Sequence, residues 1–187
     1  MSYWPAFIYK GIHYSTHHLD AIDLEIVRSA SADQPEKVYQ LRIKFSHHLF
    51  TDPKSAIPIL ISNAGGRDER PICFKRYHTS FAAVELINQM GKSIKKFHFA
   101  KEDNFLVLKA PTCSLIESRT RENRTLHVYF RLRKYKKIDG WIEVYVESAY
   151  IAPKKGNLQP TSIYKALEHF MKTGKRLREP PKHFSRR

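Results

Sequence analysis

Three short stretches of the chain carry side chains that can transfer protons or hold a phosphate. The pair His47-His48 directly follows an alternating apolar run, and a histidine, which titrates near neutral pH, can act as a general acid or base. The run KRYH at residues 75–78 gathers two cations, a phenol and an imidazole. Ser148 and Tyr150 lie two residues apart, so a strand places them on one face, where hydroxyl donors can stabilise charge on a phosphate oxygen.

Each stretch also has an explanation that involves no chemistry. We expect the two histidine side chains to project to opposite faces, so that one can face a cleft, but the pair is also compatible with a surface histidine at the end of a strand. The run 75–78 is compatible with an amphipathic loop in which Tyr77 packs inward, and Ser148 and Tyr150 with the polar end of a strand. No carboxylate stands at ligand spacing from the histidines, so we expect no metal site and no cofactor.

The elements that must position these residues can be predicted from periodicity and turn residues. Residues 38–45 alternate between apolar and polar side chains and predict a strand that ends just before the histidines. Residues 125–150 predict a hairpin, because two alternating runs flank the tight-turn pair Asp139-Gly140. Weaker alternation predicts early strands within residues 6–28, and further strands at 94–99 and 104–108.

Two helices complete the expected architecture. The first is predicted to begin at a Thr79 or Ser80 cap and to close at Gly91, and the second to run from residues 160–162 to Gly174. Residues 49–70 read as a long irregular loop. The expected fold class is α+β, an antiparallel meander sheet with one central helix and a C-terminal helix. We expect one globular domain at residues 1–174 and a basic tail at 175–187.

The net charge of +15 is concentrated in two segments. Residues 119–137 carry +7 and residues 154–187 carry +8, so the rest of the chain is neutral. Clustered lysine and arginine side chains favour a polyanionic partner, although basic turns and tails also aid solubility. The residues expected to contact nucleic acid are basic or aromatic and lie in the run 75–78 or on the predicted hairpin: Lys75, Tyr129, Arg131, Arg133, Lys134, Lys136 and Lys137.

The cellular compartment can be predicted from the cysteines and from the lack of long apolar segments. Cys73 and Cys113 form no CxxC motif, which favours a reducing environment. Residues 1–10 have no basic leader followed by a long apolar run, and no window is apolar enough to span a bilayer. We therefore expect a soluble cytoplasmic protein that does not bind membranes.

The order of elements resembles the metal-independent ribonucleases grouped with barnase, EndoU, the tRNA-cleaving colicins and RelE-type toxins. The shared features are a strand ending in histidine, a basic stretch before a helix, and a meander whose last strand ends in a Ser/Thr-x-Tyr motif, over residues 38–151. The resemblance implies attack of a ribose 2′-hydroxyl on the adjacent phosphate. It implies His48 as the acid or base, Arg76 as the phosphate clamp, and Ser148 with Tyr150 as hydroxyl donors.

Two classes of function follow from these observations. The first is a ribonuclease of toxin or mobile-element type, with RNA rather than DNA as its substrate and with an antitoxin or another protein as a further partner. The second is a non-catalytic protein, either a nucleic-acid-binding module that uses Tyr129, Arg131 and Arg133 as a platform or an accessory interaction protein.

Overall fold

The α+β class is confirmed by the computed structural model, which describes residues 4–62, 68–100, 105–111, 124–153, 158–175 and 177. The predicted basic tail at 175–187 lies outside these residues apart from Lys175 and Leu177. The described strands are β1 Phe7–Tyr9, β2 Ile12–Tyr14, β3 Ile22–Arg28, β4 Lys37–Phe45, β5 Leu60–Ser62, β6 Glu69–Pro71, β7 Lys96–Phe99, β8 Leu106–Pro111, β9 Arg124–Lys134, β10 Ile142–Pro153 and β11 Pro160–Ser162. The helices are α1 Phe74–Asn88 and α2 Ile163–Thr173, and two 3-10 turns span His17–Leu19 and His47–Leu49.

Seven of these strands form the main sheet, in the order β11-β7-β8-β9-β10-β4-β3. The predicted meander is present as β7 to β10, in which each strand pairs antiparallel with the next. The pairing of β4 with β10 is parallel, so the sheet is mixed rather than a simple meander. This parallel pair brings the segment after β4 beside the second half of β10.

The predicted hairpin is confirmed, since β9 and β10 pair antiparallel in the middle of the main sheet. Gly140 in its turn has φ of +77°, a conformation that costs glycine little. A register shift between Val146 and Ser148 places one extra residue, Glu147, in β10. Pairing with β4 also ends at Val146, opposite Phe45. Beyond that point β10 still pairs with β9, while the 3-10 turn and α1 replace β4 on its other side.

Helix α1 begins earlier than predicted, at Phe74 with Cys73 in the cap position. The prediction of a Thr79 or Ser80 cap is wrong, because both hydroxyl groups donate back to helix carbonyls: Thr79 to Lys75 and Ser80 to Tyr77. The run 75–78 therefore lies inside the helix rather than in a loop before it. Cys73 is a free thiol, and Cys113 lies outside the described residues.

One face of the sheet carries the apolar core. Alternate residues of β4 are buried there, and the inward residues of β9 and β10 continue the same layer. Both helices add apolar side chains to this cluster, among them Ile87 of α1 and Phe170 of α2. Helix α2 stops where predicted, since Gly174 adopts the left-handed conformation with φ of +64°. No helix in the described ranges combines the length and the apolar character that a membrane span requires.

The described parts of the predicted irregular loop, residues 49–62 and 68–70, contain regular secondary structure. Strands β5 and β6 pair antiparallel, with Leu60 opposite Pro71 and Ser62 opposite Glu69. The amide of Cys73 donates to the carbonyl of Phe50, and the amide of Asp52 donates to that of Pro71. These bonds fasten the ribbon between the 3-10 turn after β4 and the start of α1. Three-residue strands with interrupting prolines leave too little alternation to be recognised in the sequence.

The first 3-10 turn is attached to α1 through His18, and the burial of this side chain predicts that acid lowers the stability of the folded protein. The His18 Nε2 atom lies 2.6 Å from Ser80 Oγ, and its ring stacks on Phe81 at 3.7 Å. Desolvation by burial lowers the pKa of His18 to about 4, against an opposing effect of Asp20. Because the unfolded chain binds this proton more tightly, the contribution of His18 to stability is complete above pH 6.5 and is lost as the pH falls towards 4.

We expect the free energy of unfolding to fall by about 2 kcal/mol more in the wild type than in His18→Gln between pH 7 and pH 4. Urea unfolding at several pH values measures this difference. His17→Gln is the matched control, since His17 is the exposed neighbour of His18 in the same turn. Within the described residues, the His17 side chain pairs with Asp20 alone. Parallel pH profiles for the wild type and His18→Gln would show that His18 does not carry the effect.

Candidate active site at the end of strand β4

His47 and His48 lie in the 3-10 turn that follows β4. The chain leaves the strand at Ser46, whose side chain accepts a hydrogen bond from the His48 amide at 3.2 Å. The expectation that the two histidines face opposite sides is wrong, because the turn coils both rings towards one carboxylate. His47 Nε2 lies 3.4 Å and His48 Nε2 3.1 Å from Asp68 Oδ2.

The two histidines nevertheless differ in exposure. The side chain of His47 is buried, at 4% exposure, and its ring packs 5.5 Å from that of Trp4. Burial and the neighbouring charge of His48 lower the pKa of His47 to about 4, so this imidazole is neutral at pH 7. His48 retains 21% exposure and is the member of the pair that a substrate can reach.

Asp68 is the carboxylate that joins the histidines to strand β6. Arg70 Nε donates to both of its oxygens, at 2.9 and 3.1 Å. This hydrogen bonding, together with that of His48, lowers the pKa of Asp68 to about 2. Asp68 stands twenty residues after His48 in the sequence, within the predicted irregular loop. The spacing of residues along the sequence therefore gives no indication that Asp68 belongs to the site.

Arg76 connects the histidine turn to strand β10. It lies in the first turn of α1, where Nη1 donates to the His48 carbonyl at 3.1 Å and Nη2 lies 3.0 Å from Asp52 Oδ2. Its guanidinium carbon is 5.1 Å from the centroid of the Tyr150 ring, within the range of a cation–π contact. Three predicted site residues, His48, Arg76 and Tyr150, are thus joined through one side chain.

Strand β10 adds a second carboxylate at its bulge. Glu147 Oε1 lies 3.7 Å from His48 Nδ1, so the ring of His48 has a carboxylate near each nitrogen. Tyr150 is 42% exposed and its ring lies 5.7 Å from that of Tyr129. Ser148, the fourth predicted catalytic residue, is buried opposite Tyr129 in the register. Sequence reasoning missed Glu147, which reaches His48 because the bulge coincides with the end of β4.

Three of the seven predicted nucleic-acid-binding residues lie on the sheet face opposite the core. Tyr129, Arg131 and Arg133 alternate along β9. Arg131 lies over the Phe105 ring at 4.3 Å and Arg133 over the Tyr145 ring at 4.0 Å. The remaining predicted contacts are exposed lysines at the hairpin turn or on α1: Lys134, Lys136, Lys137 and Lys75.

The fold and this cluster define an α+β protein with a histidine, carboxylate and arginine site at the end of a parallel strand pair. The chain belongs to the YjaZ family, whose model matches residues 6–171. Neither a curated protein nor a solved structure matches the chain significantly.

Proposed function

We propose that the protein is an endoribonuclease that cleaves RNA without a metal ion, by attack of a ribose 2′-hydroxyl on the adjacent phosphate. The observation that carries this proposal is the position of Arg76 between His48 and Tyr150. A proton-transfer residue, a cation and a phenol are thereby linked through one side chain, and they are the set of groups that this reaction needs.

Glu147 and His48 supply the two proton transfers of the reaction. The 2′-hydroxyl gives its proton to Glu147 as its oxygen attacks phosphorus, and the departing 5′-oxygen takes a proton from His48. The P–O5′ bond breaks as the P–O2′ bond forms, which leaves a 2′,3′-cyclic phosphate and a free 5′-hydroxyl. Asp68 holds the His48 ring in position through Nε2.

Arg76 and Tyr150 stabilise the charge that develops on the phosphate oxygens. The contacts of Arg76 with the His48 carbonyl and Asp52 engage Nη1 and Nη2, and a guanidinium carries five N–H donors in all. Further donors remain for a phosphate. The exposed Tyr150 hydroxyl adds a neutral donor beside them.

The direct test is incubation of an RNA oligonucleotide and the DNA of the same sequence with purified protein in EDTA. We expect the RNA to be cleaved and the DNA to remain intact, because only RNA carries the attacking hydroxyl. RNA that stays intact over a range of sequences would contradict the proposal.

The stacked arginines of β9 favour a second candidate function, a non-catalytic RNA-binding module. Each guanidinium lies over an aromatic ring, and Arg133 Nη1 also lies 3.8 Å from Glu143 Oε1. The remaining guanidinium edges can contact phosphate or base groups. In the ribonuclease this face serves as the platform that holds the RNA strand. In the alternative it is the whole functional surface, so RNA is bound and never cut.

Removal of the two arginines tests this platform under either function. We expect Arg131→Ala/Arg133→Ala to lower the slope of log K against log salt concentration by roughly 1.4, about 0.7 for each phosphate contact on single-stranded RNA. Fluorescence anisotropy at several salt concentrations measures the slope. Lys92→Ala removes an exposed charge in the turn after α1 and should leave the slope unchanged. A wild-type slope in the double variant would place RNA binding on another surface.

A further inference from the structure

His47, His48 and Asp68 hold their ligand atoms close together at the border of the candidate active site. One ring nitrogen of each histidine and one carboxylate oxygen of Asp68 all lie within 4.8 Å of one another. We propose that these three residues bind one divalent transition-metal ion of the zinc class, and that the bound ion inhibits the enzyme.

The spacing of the donor atoms matches the demands of a tetrahedral ion. Bonds of about 2.0–2.1 Å at tetrahedral angles separate neighbouring ligand atoms by roughly 3.4 Å. Asp68 Oδ2 lies 3.4 Å from His47 Nε2 and 3.1 Å from His48 Nε2. These two distances already suit such an ion, and the ligand nitrogens of the two histidines lie within 4.8 Å of each other. An ion therefore fits between the three residues once the rings adjust, and a water or another ligand completes its coordination.

The buried histidine gives an independent indication of a ligand. His47 Nε2 is buried and forms no hydrogen bond with any residue that the structure describes, although Asp68 Oδ2 lies just beyond ordinary bonding distance. A buried polar nitrogen without a hydrogen bond is uncommon in folded proteins. A metal ion placed between the three residues would satisfy this nitrogen and would use its lone pair.

The neighbouring charged groups can orient two of the ligands. Glu147 Oε1 faces the other nitrogen of the His48 ring, at 3.7 Å, and such carboxylates commonly fix metal-binding histidines. Arg70 contacts both oxygens of Asp68 and is closer to Oδ1, so it can retain Oδ1 while Oδ2 turns to the ion. Two imidazole nitrogens and one carboxylate oxygen favour zinc, nickel or cobalt over magnesium or calcium, which prefer oxygen ligands.

The inhibitory role rests on the proposed ribonuclease function. An ion on His48 Nε2 separates the ring from Asp68, adds positive charge beside it and prevents its protonation. His48 can then no longer deliver a proton to the 5′-oxygen. Zinc of this kind regulates the site and is not a cofactor of the reaction.

Zinc titration of the EDTA-stripped protein, in the absence of RNA, tests the site itself. We expect one zinc ion to bind per chain, in competition with a chromophoric chelator, and to raise the Tm, whereas magnesium leaves the Tm unchanged. His48→Ala and Asp68→Asn replace partly exposed residues and should each weaken zinc binding at least about tenfold. The control is His17→Ala, because His17 faces Asp20 at 3.2 Å on the surface and lies outside the proposed zinc site.

The outcomes separate the metal site from the enzyme. Absence of stoichiometric zinc binding, or equal binding by the wild type and both variants, would overturn the site whether or not RNA is cleaved. If zinc binds as expected, RNA cleavage should fall over the same range of zinc concentration. Cleavage that is unaffected or accelerated by bound zinc would overturn the inhibitory role and leave the binding site standing.

Discussion

Replacing His48 with alanine will lower the rate of RNA cleavage by about a hundred- to ten-thousand-fold, the usual contribution of a positioned acid–base residue. The variant should still bind RNA, because the arginines of β9 and the contact of Arg76 with the His48 backbone carbonyl do not depend on the imidazole. Single-turnover cleavage and anisotropy binding measured on the same preparation separate the two effects.

His13→Ala is the control for this substitution. His13 is exposed on β2, so its removal should change neither cleavage nor binding. A wild-type cleavage rate in His48→Ala would remove His48 from the mechanism. Loss of RNA binding together with cleavage would assign His48 a structural role at the end of β4 instead.

Replacing Phe130 with alanine will lower the free energy of unfolding by about 3–5 kcal/mol, a large part of the stability of an ordinary domain. Phe130 lies in the middle of β9, fully buried, and its ring meets that of Phe97 at 4.9 Å. The strand registers place Phe130 between Leu106 of β8 and Val146 of β10. The cavity left by removing its ring therefore lies in the centre of the sheet. Urea unfolding monitored by circular dichroism measures the loss.

Ile138→Ala is the matched control for this cavity. Ile138 is 47% exposed near the turn between β9 and β10, and its truncation should cost no more than about 0.5 kcal/mol. A loss below about 1 kcal/mol for Phe130→Ala would show that β9 is not central to the core.

The predictions that succeeded rest on patterns contained within one element. Alternation identified β4, β9 and β10, and the glycines at 140 and 174 marked a turn and a helix end through their positive φ. The start of α1 was missed because Thr79 and Ser80 can cap a helix or bond back within one, and the sequence does not distinguish these uses. The parallel pairing of β4 with β10 depends on contacts between distant segments.

The same distinction applies to the candidate site. His48, Arg76 and Tyr150 were selected for their side-chain chemistry, and the fold brings them together. Asp68 and Glu147 reach His48 only through the β5–β6 ribbon and the bulge in β10, neither of which leaves a local signature. Side-chain types thus indicated the reacting groups, while the orienting carboxylates required the three-dimensional arrangement.

The chemical identity of the RNA ends tests the central claim most directly. Cleavage in EDTA should yield a 2′,3′-cyclic phosphate and a 5′-hydroxyl, identified by mass spectrometry, and a single 2′-O-methyl group at the cleaved nucleotide should abolish the cut there. Products that carry a 5′-phosphate, or cleavage that persists beside the 2′-O-methyl group, would contradict attack by the 2′-hydroxyl and with it the proposed mechanism.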